Sequence, residues 1–235
     1  MVKRTLLTLD YKGAVAALLL GIALFVFGSK HSNYIFSEFF VLSMVLFLVL
    51  SAIATKIGMQ YKKQSNLYEY KRSVKNVLSN GLAPLAMSIL FYFSGSFLFI
   101  IGFSSVVAAI SADKFSSEIG VLNGKPRLIF GMKKVKKGTS GGISLLGLGA
   151  GLAASIAITI FSAIYLYFIL STTNTLLFAF IFLTILISGF SGTIIDSIFG
   201  YFENKGIGTK HTTNFLASLI AGFVGILIFL ALLLI

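Results

Sequence analysis

Apolar stretches long enough to cross a bilayer alternate along the chain with short polar segments. A spanning helix needs about 20 apolar residues, and the pattern predicts seven spans with a polar break between each pair. One apolar stretch, 80–122, is too long for a single span and is divided at Ser94-Gly95-Ser96, because small turn-forming residues favour a break there. The predicted spans are 11–28, 34–59, 81–93, 97–119, 141–170, 176–199 and 213–234.

Composition supports an all-α, polytopic membrane helix bundle that forms a single domain. Of the 235 residues, 57% are hydrophobic and only 11% are charged, whereas soluble domains carry about a quarter charged residues. A chain this apolar could not keep its surface in contact with water, so we expect the lipid bilayer to be its solvent. The basic start of the chain resembles a signal peptide, but the long first apolar run and the spans after it favour a retained helix.

The distribution of charge predicts an orientation. Most of the 19 Lys and Arg residues fall in the N-terminal segment and in three polar loops, 60–79, 123–140 and 201–212. Cytoplasmic loops collect Lys and Arg, so we expect these loops and the N-terminus to face the cytoplasm from a cell membrane. The same rule accounts for the net charge of +12 without nucleic acid as a partner. The oligomeric state stays open, and the sequence is compatible with a homo-oligomer.

Residue types also exclude some chemistry. The chain has no cysteine, which removes disulfides, thiolate nucleophiles and Cys-ligated zinc. It has two histidines, far apart in sequence, so a histidine metal site or a Ser-His-Asp triad is poorly supported.

Scarce acidic residues are the strongest candidates for function. Asp113 and Glu118 lie at the cytoplasmic end of the fourth predicted span, and Asp196 lies at the same end of the sixth. Ionisable groups at membrane depth are costly and usually serve a purpose, although an interfacial ion pair explains Glu118 equally well. Side chains five residues apart point about 140° away from each other on an unbroken helix. Asp113 and Glu118 can therefore bind the same ligand only if the helix ends between them. Gly120 is a candidate terminator.

Two further segments contribute polar groups at this membrane depth. Asn80 and Asn214 lie at the starts of the third and seventh predicted spans, where they either join the acidic residues or cap their helices. The lysine-rich run 133–137 leads into Gly138-Thr139-Ser140-Gly141-Gly142-Ile143-Ser144 at the start of the fifth span. Helix N-termini and glycines suit phosphate, although topology or anionic lipid also explains the lysines. Packing between helices is the expected role of Gly147, Gly149 and Gly151.

These segments resemble the signature motifs of one integral-membrane family. The run 111–120 is similar to A-D-T-x-A-S-E-I-G, and 192–200 is similar to G-x-x-x-D-S-x-x-G. Pro126-Arg127 and 138–144 resemble P-R and G-T-x-G-G-[IV]-S, 72–81 resembles R-x-x-x-Q-V-x-x-N-G, and 214–216 resembles N-F-x. The family includes the plant phytyl-phosphate kinase of tocopherol synthesis and archaeal, bacterial and animal membrane proteins. Lys114 departs from the pattern, because the family usually has Thr there.

The resemblance implies a membrane kinase that transfers a phosphoryl group from a nucleoside triphosphate, such as CTP, to an isoprenoid monophosphate. Phytyl or geranylgeranyl phosphate would become the diphosphate. Catalytic and Mg²⁺-binding roles would fall to Asp113, Glu118 and Asp196. Substrate and nucleotide phosphates would be bound by Arg72, Asn80, Lys114, Arg127, Thr139, Gly141, Gly142, Ser144 and Asn214. Two alternatives stay open: a cytidylyltransferase or prenol kinase at the same interface, and a membrane transporter with proton-coupling acids.

Overall fold

The computed structural model describes residues 9–29, 34–68, 72–171 and 174–234. The predicted N-terminal basic segment 1–8, the turn at 30–33 and loop residues 69–71 lie outside these ranges. The described residues form a helical bundle with one two-stranded hairpin. Its elements in chain order are α1 Tyr11–Gly28, α2 Ile35–Lys56, α3 Met59–Gln64, α4 Val74–Ser94, α5 Leu98–Asn123, β1 Arg127–Leu128, β2 Gly142–Ile143, α6 Leu145–Leu170, α7 Thr175–Glu203 and α8 Lys210–Leu233.

The seven-span prediction is confirmed in number and order. Within the described residues, seven helices (all except α3) are long and apolar enough to cross a membrane. Because successive spans alternate in direction, the connections α2–α4, α5–α6 and α7–α8 meet at one end of the bundle. We call this end, which carries the lysine-rich loops, the basic end.

Several predicted boundaries are wrong near the basic end. Helix α4 begins at Val74, seven residues before the predicted start at 81, and α5 continues to Asn123 instead of stopping at 119. Gly120 does not terminate α5. A Cβ on Gly120 would lie 3.1 Å from Ser144 Oγ and 3.2 Å from the Cα of Gly147. This glycine therefore allows α6 to approach α5 closely.

The antiparallel pair β1–β2 was not predicted, and it displaces the start of α6 from 141 to Leu145. Its register pairs Arg127 with Ile143 and Leu128 with Gly142. Ser144 then caps α6 by accepting a hydrogen bond from Gly147 N at 3.1 Å. The loop 124–144 is consequently a folded hairpin that lies across the basic end.

Helix α5 is the centre of the bundle and packs against α2, α4, α6, α7 and α8. Small residues let the neighbouring backbones approach it. The predicted packing roles of Gly147 and Gly151 are confirmed, since added Cβ atoms would lie 2.9 Å from Ser116 O and 3.0 Å from Ala112 O. The packing prediction for Gly149 is wrong, because nothing lies within 4 Å of its Cβ position.

Helices α5 and α7 run in the same direction and approach each other closely at two pairs of small residues, Gly189 with Ala108 and Gly192 with Ala109. A Cβ on Gly192 would lie 2.4 Å from the Cβ of Ala109. One turn further towards the basic end, four residues along each helix, are Asp113 and Asp196. Since side chains four residues apart share a helix face, the contact between Gly192 and Ala109 brings the two carboxyl groups to one point.

Candidate functional site

The basic end encloses a polar cavity of about 470 Å³. Its walls come from the ends of α5, α7 and α8, from the hairpin loop, and from residues 66–68. Charged residues on these walls are Asp113, Lys114, Glu118, Lys137, Asp196, Glu203 and Lys210. A cavity of this volume is within the range of small-molecule and cofactor sites, and its mixed charge suits an anionic ligand bound together with a cation.

The carboxyl groups of Asp113 and Asp196 lie within hydrogen-bonding reach of each other at the inner end of this cavity. The ammonium group of Lys210 lies near both carboxyl groups, and Lys114 lies near Asp113. Two adjacent carboxylates repel one another unless a cation or a proton lies between them. The pair therefore offers oxygen ligands that a divalent cation would satisfy.

Asn214 belongs to this group of side chains. With its amide oriented so that the nitrogen faces acceptors, Nδ2 donates to Asp196 Oδ1 at 3.2 Å and to Lys210 O at 2.8 Å. Asn214 is the fifth residue of α8, whose N-cap is Thr209. The helix-cap alternative for Asn214 is therefore wrong, and its side chain orients Asp196 instead.

Asn80 lies deeper, where a narrow gap of about 10 Å³ is lined by Asn80, Asp113, Asp196 and Asn214 among others. Its Nδ2 donates to Asn76 O at 2.8 Å. The cap of α4 is Ser73, so Asn80 is not a helix cap either. It borders the aspartate pair from the side of α4 and does not line the main cavity.

Glu118 lines the cavity but is engaged by two lysines. Its Oε2 lies 2.7 Å from the Nζ of Lys62, its Oε1 lies 2.6 Å from the Nζ of Lys114, and Oε1 also accepts a hydrogen bond from Thr55 at 3.1 Å. Because α5 is unbroken between Asp113 and Glu118, the two side chains diverge around the helix. Among the described residues no three Asp, Glu or His side chains form a cluster that could hold a metal. The predicted three-carboxylate site is therefore reduced to Asp113 and Asp196.

Lys62 was not among the predicted residues, although it completes this network. Its side chain is fully buried, and Nζ also donates to the carbonyl groups of Ala54 at 2.9 Å and Thr55 at 3.2 Å. These carbonyls belong to the last turn of α2, where the helix leaves acceptors unpaired. Lys62 therefore joins the end of α2 to α5. No sequence signal separated it from the other loop lysines.

Arg72 lies outside the cavity, contrary to the predicted phosphate-binding role. Its guanidinium group is buried against α2, where it donates to the carbonyl oxygen of Ser51 at 2.8 Å and to Thr55 Oγ1 at 2.6 Å. An arginine surrounded by these acceptors anchors the start of α4 to α2. The prediction failed because a sequence motif does not show which helix a residue packs against, and Arg72, just before Val74, packs against α2 and not against the helices that line the cavity.

Arg127 also lies outside the cavity. It is exposed in β1, and its Nη1 donates to Met132 O at 2.9 Å within the hairpin. The hairpin instead presents Thr139, Gly141, Gly142 and Ser144 to the cavity, as predicted for this segment.

Gly141 fixes the position of the hairpin loop against α7. Its φ is +73°, and an added Cβ would lie 2.5 Å from Tyr201 N. Gly200 makes the reciprocal contact, since its Cβ would lie 2.4 Å from Gly141 N. Gly141 belongs to the sequence motif 138–144 and Gly200 belongs to the motif 192–200, so these two motifs are in contact.

Lys137 is a further cavity residue that only the lysine-rich pattern suggested. Its Nζ donates to Tyr61 Oη at 2.9 Å and to Leu122 O at 3.0 Å. The hydrogen bond from Lys137 lowers the pKa of the Tyr61 phenol. The contact ties α3, the end of α5 and the hairpin together at the mouth of the cavity.

Fold and site together define a seven-span membrane protein with an aspartate pair in a polar cavity at one end. The chain belongs to the integral membrane protein family DUF92, whose model matches residues 1–222. It is 34% identical to an uncharacterized membrane protein of Methanocaldococcus jannaschii over 224 residues, 94% of this chain and 86% of that protein. It is also 29% identical to Protein PGR of Arabidopsis thaliana over 214 residues, 82% of this chain and 71% of that protein. No solved structure was found to match the chain.

Proposed function

We propose that this protein is a membrane kinase that transfers a phosphoryl group from a nucleoside triphosphate to an isoprenoid monophosphate. The observation that carries the proposal is the meeting of Asp113 and Asp196 in a polar cavity of about 470 Å³ at the basic end of a membrane bundle. Positively charged loops favour a cytoplasmic location for that end, where nucleotides are available. The resemblance of several segments to the phytyl-phosphate kinase family supports the same activity.

The side chains around the pair suit phosphoryl transfer, in which catalysis is mostly positioning and charge neutralisation. Mg²⁺ is bound in such sites through one or two carboxylates together with substrate phosphates and water. Asp113 and Asp196 would hold it, and Lys210 and Lys114 would neutralise phosphate oxygens. The folded glycine loop around Gly141 would bring backbone N–H groups to a second phosphate.

The reaction requires no strong general base. An oxygen of the isoprenoid monophosphate, already an anion, forms the new bond to the γ-phosphorus of the nucleotide. The bond from that phosphorus to the β,γ-bridging oxygen breaks, and the nucleoside diphosphate leaves with the electron pair. The apolar tail of the acceptor stays within the bilayer while its phosphate reaches the basic end.

Product mass tests the proposal and separates the enzymatic alternatives. Purified protein in lipid nanodiscs would receive CTP, Mg²⁺ and geranylgeranyl phosphate. We expect geranylgeranyl diphosphate together with CDP. A cytidylyl-prenyl product with release of pyrophosphate would instead identify a cytidylyltransferase. Phosphorylation of geranylgeraniol, but not of its monophosphate, would identify a prenol kinase. Either result would contradict the kinase proposal.

A transporter is the second candidate, favoured by one observation. Among the described residues, five buried hydroxyl groups within the bundle have no hydrogen-bond partner, those of Ser105, Thr159, Ser162, Thr184 and Thr193. Buried polar groups are normally satisfied, so these hydroxyls are candidate ligands for a solute that crosses the bundle. Proton flux in proteoliposomes without nucleotide, lost on Asp113→Asn, would favour this candidate over the kinase.

A further inference from the structure

We infer that the groove between α1, α2 and α4 binds the first part of the substrate's isoprenoid tail. The inference rests on the proposed function, because it names where the tail of that substrate lies. The groove has a volume of about 80 Å³, and its walls are almost entirely apolar. Leu20, Leu24, Met44 and Phe47 are among the side chains that line it.

The groove has one polar end, formed by Arg72, Asn76 and Asn80. A hydrocarbon tail whose anionic head lies beyond this polar end, at the aspartate pair, matches the division into a polar end and apolar walls. The guanidinium of Arg72 is held by Ser51 and Thr55, so it contributes fixed positive charge near the polar end. The apolar walls favour a hydrocarbon tail over a nucleotide base or sugar.

Asn80 connects the groove to the aspartate pair. It lines the groove, and it also lines the narrow gap that contains Asp113, Asp196 and Asn214. The gap has the size of about one water molecule, so the tail passes the Asn80 side chain only when that side chain rotates. The bond from Asn80 Nδ2 to Asn76 O would break in that movement. The phosphate then lies at the aspartates and the tail in the groove.

The dimensions limit how much of the tail the groove can hold. The seven residue steps of α1 from Ala17 to Leu24 span about 10 Å at 1.5 Å per residue. On the scale on which the gap holds about one water molecule, a volume of about 80 Å³ has room for about five to eight groups of that size. Val45 on the wall is 47% exposed at the bundle surface, so the rest of a longer tail extends from there into lipid. The groove therefore accepts long tails without enclosing them.

A substitution at Gly21 tests whether the tail occupies the groove. It lines the groove, and nothing lies within 4 Å of the position where its Cβ would be. Gly21→Leu therefore places a side chain into the groove without a backbone clash. Gly149 is a matched control, because it also lies inside a helix with open space at its Cβ position but belongs to α6. Gly149→Leu makes the same change outside the groove.

The experiment uses an isoprenoid monophosphate with a photoreactive diazirine in its second isoprene unit. Full-length protein in nanodiscs is irradiated, and labelled residues are mapped by mass spectrometry. We expect labels on α1 and α2 around Leu20 and Val45, competed by unlabelled geranylgeranyl phosphate. Gly21→Leu should reduce the labelling about tenfold, the loss that about two buried methylene groups would cause. Gly149→Leu should label like the unmodified chain.

Diphosphate formation, measured in parallel, separates the two proposals. Labels on α6 or α7, equal labelling of Gly21→Leu and the unmodified chain, or no competable labelling would each overturn the tail site, whether or not diphosphate forms. Labelling in the groove without any diphosphate would leave the tail site standing and would contradict the kinase activity.

Discussion

The buried ion pair between Lys62 and Glu118 predicts a large and specific loss of stability on Glu118→Gln. Lys62 is fully buried, and the side chain of Glu118 is 10% exposed. The substitution removes the only carboxylate paired with Lys62 in the described network and leaves its ammonium group with two carbonyl acceptors. Breaking a buried pair by removing one partner costs about 3–5 kcal/mol, because an uncompensated charge stays buried. We therefore expect the free energy of unfolding to fall by about that amount.

Two further variants separate this cause from a general loss of packing. Adding Lys62→Met to Glu118→Gln removes the buried charge itself, so it should restore most of the lost stability. Lys114→Met breaks the other ion pair of Glu118 but leaves Lys62 to neutralise the carboxylate. Because the side chain of Lys114 is 18% exposed, we expect this variant to lose much less stability than Glu118→Gln.

Reversible unfolding in mixed micelles, with dodecyl sulfate as denaturant and circular dichroism as the signal, measures these differences. The free energy of unfolding should decrease in the order unmodified chain, Lys114→Met, double variant, Glu118→Gln. If the double variant were no more stable than Glu118→Gln, the uncompensated charge of Lys62 would not be the cause. A loss below about 1 kcal/mol for Glu118→Gln, the range of exposed pairs, would show that Lys62 and Glu118 do not form a strongly coupled buried pair.

Two other expectations concern the hairpin loop and the orientation. Gly141→Ala should destabilise the protein, because Gly141 has a φ of +73° and no space for a Cβ. Gly149→Ala should instead stabilise α6 by about 0.5–1 kcal/mol. Equal thermal unfolding temperatures of the two variants would contradict this contrast. The chain has no cysteine, so Lys136→Cys and Thr175→Cys each carry a single thiol for a membrane-impermeant maleimide. We expect labelling of Lys136→Cys from the cytoplasmic side only and of Thr175→Cys from the opposite side only, and the reverse pattern would invert the orientation.

Hydropathy, together with the turn-forming Ser94-Gly95-Ser96, was sufficient for the spans, because each one is predominantly apolar and every backbone group within lipid must be paired inside a helix. It could not locate the helix ends at the basic end. Polar residues such as Asn76 are compatible with both loop and helix, and tertiary contacts decide between them. The start of α4 at Val74 and the continuation of α5 through Gly120 depend on packing against neighbouring helices.

The aspartate pair was predictable from topology, because Asp113 and Asp196 are scarce acids at the same end of two spans. Their neighbours were not predictable from the same argument. Glu118 has the same charge as Asp113 and lies about one and a half turns closer to the basic end of α5, but five residues on an unbroken helix turn its side chain away. Its buried partner, Lys62, comes from the short helix α3 and had no pattern to distinguish it. Membrane depth alone therefore selects candidates, whereas helical phase decides which of them meet.

The rate of geranylgeranyl diphosphate formation from CTP and geranylgeranyl phosphate decides whether the aspartate pair performs phosphoryl transfer. It would be compared among the unmodified chain, Asp196→Asn and Glu38→Gln, a matched neutralisation at the opposite end of the bundle, where Glu38 contacts Tyr165. We expect Asp196→Asn to abolish the reaction while its helix content and unfolding temperature are retained, and Glu38→Gln to stay active. Full activity of Asp196→Asn, or equal loss in both variants, would contradict the assignment of the aspartate pair as the site of phosphoryl transfer.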